Sequence, residues 1–113
     1  MANQASSFVL KKNHDGDIYF NFLDSAGEIV LISGFYAERS SAEEAINDVK
    51  KNSLMSQQLA AGQTKEGDQF FVIKGSDGQI IVKSALYTSQ MVMDNALHCV
   101  KDNACVAEVI DSI

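Results

Sequence analysis

Residues 16–53 read GDIYFNFLDSAGEIVLISGFYAERSSAEEAINDVKKNS, and residues 67–104 read GDQFFVIKGSDGQIIVKSALYTSQMVMDNALHCVKDNA. A shift of 51 residues lays one over the other without a gap, and 12 of the 38 aligned positions are identical. They are Gly16/Gly67, Asp17/Asp68, Phe20/Phe71, Ser25/Ser76, Gly27/Gly78, Ile29/Ile80, Ser33/Ser84, Tyr36/Tyr87, Ala45/Ala96, Val49/Val100, Lys50/Lys101 and Asn52/Asn103. Ordinary composition gives about two or three by chance. Self-similarity at a fixed period bears on the whole architecture, so the unit is read once and applied twice.

Within the unit, residues 8–12 form a first strand with Phe8 and Leu10 on one face. The polar run His14, Asp15, Gly16, Asp17 is a hairpin turn, where glycine supplies positive φ and aspartate bonds its own backbone. Residues 18–23 alternate with a period of two, which sets Ile18, Phe20 and Phe22 on one face. Ser25, Ala26 and Gly27 turn the chain again, and residues 29–33 are a third strand rich in β-branched side chains. After Tyr36 the period becomes helical: Ala42, Ala45, Ile46 and Val49 share a face, opposite Glu43, Glu44, Asn47, Asp48 and Lys50. Ser41 and Glu44 fit a capping box, and Asn52 suits a left-handed exit.

The second copy repeats this order. A turn at 65–68 leads to a strand at 69–74, the Ser76-Asp77-Gly78 turn to a strand at 79–84, and a helix covers 90–102 with Ser89 as its N-cap. Its first strand is weak, because residues 57–62 offer Leu59 as their one large apolar side chain. Leu54 and Met55 could instead lengthen the first helix. The tail 105–113 is apolar enough to dock, either extended or as a helical turn.

The expected fold is therefore α+β: one compact domain, 1–113, of two tandem β-β-β-α repeats, 8–53 and 59–104. Three strands and one amphipathic helix cover only one sheet face. The simplest closed arrangement joins both sheets about a pseudo-twofold axis, with both helices packed on an antiparallel sheet. Phe20, Phe22, Ile29, Leu31 and Ile46 then share a core with Phe71, Ile73, Ile80, Val82 and Leu97.

The chain has 113 residues, is 46% hydrophobic and 21% charged, and carries a net charge of −6. That composition suits a folded domain. The acidic balance argues against nucleic acid and against an anionic membrane surface as partners. No apolar run approaches the roughly 20 residues that span a bilayer. Residues 1–7 are small and polar and read as no secretion signal. Two cysteines, Cys99 and Cys105, are too few for a disulfide framework, so a reducing cytoplasm is the default location; a bacterial origin is a guess that the cysteines do not carry.

Phe20-Asn21-Phe22, Gly27, Ile29, Ser33-Gly34-Phe35-Tyr36 and Val49-Lys50-Lys51-Asn52 make a pattern. It returns as Phe71-Val72-Ile73, Gly78, Ile80, Ser84-Ala85-Leu86-Tyr87 and Val100-Lys101-Asp102-Asn103. With the ending Ala107-Glu108-Val109-Ile110-Asp111, this resembles the YegP-like family, small bacterial and archaeal proteins built from one or two such copies. The resemblance covers almost all of the chain beyond Ser7. It implies an α+β fold of antiparallel strands and two helices, and it implies no activity. Many members carry glutamate directly after the serine of Ser-x-x-Tyr; here Gly34 and Ala85 stand there, so no role of that glutamate carries over. Ala45 and Ala96 stand where glycine is common.

Candidate chemistry is thin. His98, Cys99 and Cys105 are three soft ligands, but their spacing is not that of a zinc site, and Cys99 faces away from its neighbour His98. A Cys99 nucleophile would need His14 or His98 as base. No Gly-x-Ser-x-Gly elbow exists, and Gly75 and Gly78 are hairpin residues rather than a phosphate cradle. Asp15, Asp17, Glu66 and Asp68 read as solvated turn acids. No catalytic residue, metal or cofactor is therefore assigned. Ser33, Tyr36, Ser84 and Tyr87 form a candidate junction site where strand gives way to helix, against the simpler reading of packed rings and hydroxyls bonded to backbone.

The sheet face away from the helices should carry Tyr19, Asn21, Leu23, Val30 and Ile32 from one copy and Phe70, Val72, Lys74, Ile81 and Lys83 from the other. Seven of these ten are apolar or aromatic, which is high for a solvated antiparallel face and typical of an interaction surface. The alternative is that the tail 106–113 or the linker 54–59 folds over it. The expected function is a non-catalytic binding or interaction module that engages a protein partner or a second copy. The other class is a small-ligand-binding protein or minor enzyme with its site near Tyr36 and Tyr87.

Overall fold

The computed structural model describes residues 6–75, 77–104 and 107–112. Strands β1 (Ser7–Lys12), β2 (Ile18–Leu23), β3 (Ile29–Ser33), β4 (Leu59–Gln63), β5 (Gln69–Lys74), β6 (Ile80–Ser84) and β7 (Glu108–Asp111) form one sheet in the order β4-β5-β6-β3-β2-β1-β7. Every pair is antiparallel except β1 with β7. Helices α1 (Arg39–Asn52) and α2 (Gln90–Asn103) complete an α+β fold. A 3-10 turn, Ser56–Gln58, leads into β4. The weak strand of the second half does form.

Phe8, Leu10, Phe20, Phe22, Leu31, Ile46, Val49, Phe71, Ile73, Val82 and Val100 are buried in one cluster between sheet and helices. Helix α1 packs on β2, β5 and β6, and α2 packs on β5. Four turn glycines, Gly16, Gly27, Gly67 and Gly78, have φ between 82° and 94°, a region that a Cβ makes costly.

Alternation predicts Ile29 and Ile80 inward and Val30 and Ile81 outward, and the structure reverses both pairs. Phe22 pairs with Leu31 but the next residue, Leu23, pairs with Ile29, so Val30 is an extra residue in β3. Ile73 pairs with Val82 and Lys74 with Ile80, so Ile81 is extra in β6. A one-residue bulge inverts the alternation beyond it. Val30 is therefore 4% exposed and in the core, with Ile81 packed against that core, while Ile29 and Ile80 are 45% and 61% exposed.

Helix ends also differ from expectation. Helix α1 starts two residues before Ser41, with Glu38 at the N-cap position and no side-chain cap bond, so Ser41 and Glu44 form no capping box. Helix α2 is capped by the Ser89 hydroxyl, which accepts the Val92 amide. Asn52 is not left-handed; among the described residues no non-glycine φ is positive. It lies within α1, is buried, and donates its side-chain amide to the Lys74 carbonyl at 3.0 Å. That bond ties the end of α1 to the end of β5. Leu54 and Met55 lie beyond α1 and are exposed.

The described residues of the tail, 107–112, neither turn helical nor lie over the helix-free face. Residues 108–111 extend the sheet beside β1, and Arg39 of α1 holds Asp111 at 2.6 Å. Ser76, Cys105, Val106 and Ile113 lie outside the described residues.

Candidate functional site

The junction is the pairing of β3 with β6: Leu31 opposite Ser84, Ile32 opposite Lys83 and Ser33 opposite Val82. Here β3 must leave β2. Phe22 still pairs with Leu31, and two residues on the Phe20 amide donates instead to the Ser33 hydroxyl, 2.9 Å. That hydroxyl donates to the Gly34 carbonyl, 2.7 Å. Tyr36 then rejoins β2 through two backbone bonds with Ile18, both 2.7 Å. The serine thus replaces a missing rung while residues 34–35 loop outward. The same construction recurs in the second half: Phe71 to Ser84, Ser84 to Ala85, and Tyr87 bonded twice to Gln69. Each serine both accepts and donates within the backbone, as a structural bridge does and an activated nucleophile does not.

Tyr36 and Tyr87 are each half-buried, clamped to β2 and β5 respectively, on opposite flanks of the central β6–β3 pair. The four junction residues therefore do not converge on one point. Tyr36 stacks on Phe20, with ring centroids 6.3 Å apart and planes 12° from parallel. Burial raises its hydroxyl pKa above 10.0, and the Asp48 carboxylate adds to the rise. Burial also raises that of Tyr87, helped by Asp24, Cys99 and Glu28. Both phenols are neutral at physiological pH, which suits packing and not base catalysis.

A cleft of about 590 Å³ opens beside Tyr36, between α1 and the β5–β6 turn; Glu44, Asp48, Asp77, Gln79 and Ile80 also line it. Its described lining holds three carboxylates and no cationic, histidine or cysteine side chain. At the equivalent place in the other half the Ala85 amide bonds the Val30 carbonyl, 3.1 Å, and closes the seam.

Among the described residues, no three His, Cys, Asp or Glu side chains come together as a metal site. Cys99 is half-buried and its carbonyl accepts the Asn103 amide; His98 is exposed. His14, Asp15 and Glu66 are exposed at turns, with Asp17 and Asp68 half-buried there. No described helix is long and apolar enough to cross a membrane.

The helix-free face is built differently in its two halves. Tyr19 meets the Phe35 ring edge-on at 5.6 Å. Phe70 lies over Gly62, where a Cβ would fall 2.5 Å from the ring, and Lys83 places its ammonium 4.8 Å from the same ring. Asn21 and Val72 are buried, flanked in the ladder by Val9 and Ile32 and by Ala60 and Lys83. Leu23 and Lys74 are half-buried. Ile32 is 47% exposed near the middle of the sheet. Ile29 and Ile80 join this face although alternation placed them in the core. No glycine in β3 or β6 marks the bulge, so single-sequence patterning had nothing to detect.

The family model described as "Domain of unknown function (DUF1508)" matches residues 13–56 and 65–111. The chain belongs to the YegP-like family. Its relatives in this family include UPF0339 protein PA0329 of Pseudomonas aeruginosa, 36% identical over 97 residues, covering 86% of this chain and 88% of the relative. UPF0339 protein YegP of Yersinia pestis is 32% identical over 104 residues, covering 92% and 93%. The solution NMR structure of yegP from E. coli, a protein of unknown function, superposes with a TM-score of 0.90 at 28% identity, covering 99% of this chain and 97% of that one. UPF0339 protein SO3888 from Shewanella oneidensis also gives 0.90, at 27% identity, covering 96% and 92%. The family is uncharacterised.

Proposed function

We propose that this YegP-like protein is a non-catalytic binding module of the bacterial cytoplasm that engages a protein partner through its helix-free sheet face. We also propose that it is one domain of two copies, 8–53 and 59–104, related by an approximate twofold axis. What supports the axis is the central register. A shift of 51 exchanges the pair Leu31–Ser84 with the pair Val82–Ser33 and leaves Ile32–Lys83 in place.

The observation that carries the binding role is the exposure of Ile29, Ile32 and Ile80 on a face that neither the described tail nor the linker covers. Ile32 and Ile80 line one shallow depression of that face, with Ile29 toward the opposite end of the β3–β6 pair; apolar side chains on an open sheet face favour association. The test is the double variant Ile32→Ser with Ile80→Ser. Both side chains are exposed, so circular dichroism and urea melts should match the wild type. Partners retained by the immobilised wild type, read by mass spectrometry, should be lost by the variant. A folded variant that retains all of them refutes this role for the face, and a fall in sedimentation mass would identify the partner as a second copy.

The second reading is a small-ligand site at the junction, and the cleft beside Tyr36 favours it. Its carboxylates and rings suit an organic cation with an apolar stem. Titration with primary amines and guanidines, followed by the Tyr36 ring resonances, tests this; unmoved resonances at millimolar ligand reject it.

A further inference from the structure

The two edges of the sheet are unequal. At one, β1 is flanked by β7, laid parallel with Phe8 opposite Val109 and Leu10 opposite Asp111. The Ser112 amide closes that ladder on the Leu10 carbonyl at 2.9 Å. At the other edge, β4 pairs with β5 and with no other described strand. Its sequence LAAGQ contains neither charge nor proline, the usual guards of a free edge.

The phase of this ladder follows from the Thr64 amide, which bonds the Asp68 carbonyl just past β4. Bonded pairs alternate along an antiparallel ladder. Ala60 and Gly62 therefore turn their backbone groups toward β5, and Leu59, Ala61 and Gln63 turn theirs outward. The Asn13 to Asp17 bond fixes the same phase at β1, where the outward Leu10 carbonyl is the one that Ser112 occupies.

Beneath the β4 edge lies a groove of about 240 Å³ lined by Leu59, Ala60, Ala61, Phe71, Met93 and Leu97, with Lys101 as its one charged side chain. The corresponding space at β1 is filled by Phe8 and Leu10, both fully buried. Their counterparts 51 residues on are Leu59, half-buried, and Ala61, exposed. Phe8 and Leu10 against Leu59 and Ala61 leave the second half short by about the volume of one aromatic side chain, and no described strand flanks it at the same place.

We propose that β4 is the docking edge for an extended segment of a partner protein, added parallel to β4 with large, neutral apolar side chains at two alternate positions that enter the groove. β7 on β1 is the precedent for the direction and for the backbone bonding. The alternate positions are those that face Leu59 and Ala61 across the new ladder. They are apolar to match Leu59, Ala61, Phe71, Met93 and Leu97; the Asp111 carboxylate needs no counterpart, because Gln90 stands where Arg39 holds it in the other half, and Lys101 disfavours a cationic side chain. A second copy paired β4 to β4 would present only another Leu59 and Ala61 and leave the groove unfilled. This edge is separate from the sheet face, and its test does not depend on that reading.

The probe is the acetylated, amidated hexapeptide Thr-Phe-Thr-Leu-Thr-Lys, titrated into the isotope-labelled full chain and followed by NMR. A control peptide replaces phenylalanine and leucine by serine. Shifts are expected at the amides of Leu59, Ala61 and Gln63 and at the methyls of Met93 and Leu97, with the control at least about tenfold weaker. Ala61→Pro removes one outward donor and spares the β5 ladder, a substitution that edges tolerate; it should weaken the peptide about tenfold. Ala61→Phe fills the groove without altering backbone donors and should weaken it similarly, so either variant suffices if the other fails to fold. Absence of β4 shifts at millimolar peptide overturns the proposal, as do shifts that survive the substitution in whichever variants fold. Concentration-dependent pairing through β4 without peptide would assign the edge to a second copy and equally overturn it.

Discussion

Phe20→Ala should destabilise the protein more than Phe71→Ala, although the two phenylalanines align at the 51-residue offset and are 0% and 1% exposed. Burying a phenylalanine side chain contributes about 1.5–3 kcal/mol. A residual cavity of about 80–100 Å³ adds ~2 kcal/mol at ~24 cal/mol per Å³. Phe20 also meets Phe8 edge-on at 5.9 Å and stacks on Tyr36, contacts worth about 0.5–1.5 kcal/mol each beyond area. These contributions overlap and do not simply add, so the expected loss for Phe20→Ala is at the upper end of the usual range, about 4–5 kcal/mol. Phe71 lines the groove under β4, so truncation widens a space already open to solvent and the cavity component shrinks. About 3 kcal/mol is expected there. Urea melts of both variants, analysed with a common slope, measure the difference. Equal losses, or a larger loss at Phe71, would refute the idea that the second half is underpacked at its edge. A loss below about 1 kcal/mol at either site would refute the core assignment itself.

The bulges make a parity prediction: Val30→Ser should cost about 2–3 kcal/mol and Ile29→Ser under about 0.5, by denaturant melts; the reverse order would restore simple alternation. Ser33→Ala removes the acceptor of the buried Phe20 amide and should cost about 1–3 kcal/mol, with faster hydrogen exchange at that amide; an unchanged exchange rate would contradict the bridge. The raised pKa values of Tyr36 and Tyr87 give a signed pH dependence. The unfolded phenols release their protons first, near pH 10.0, so the stabilising contribution is complete below that pH and is lost as pH rises through the folded values. Unfolding free energies at pH 9 and pH 11 should show this loss, reduced in Tyr36→Phe; an identical loss in the variant argues against Tyr36 as a source.

The sequence by itself determined most of the elements and most of the core, leaving β4 weak and the tail open between a strand and a helical turn. Period-two runs ending at glycine turns placed β2 and β3 within their observed limits, and the helical spacing of Ala42, Ala45, Ile46 and Val49 marked the buried face of α1, because side-chain periodicity is a local property of the backbone. The 51-residue offset also carried the motif residues of the family. Only the tertiary structure decided which face Ile29 and Ile80 join, since a bulge is set by how two strands meet and leaves no mark in the period of either. Ser33 illustrates the same divide. Its hydroxyl bonds the amide of Phe20, 13 residues away, a need that arises only when β3 leaves β2 to pair with β6. Asn52, suited by composition to end a helix, is drawn instead to the Lys74 carbonyl. The apolar residues of the tail suit docking either extended or as a helical turn, with the helix-free face as one destination. The tail became a strand beside β1 because that edge had unpaired backbone groups, and a hydrogen-bond partner across the fold cannot be read from the spacing of residues along the chain.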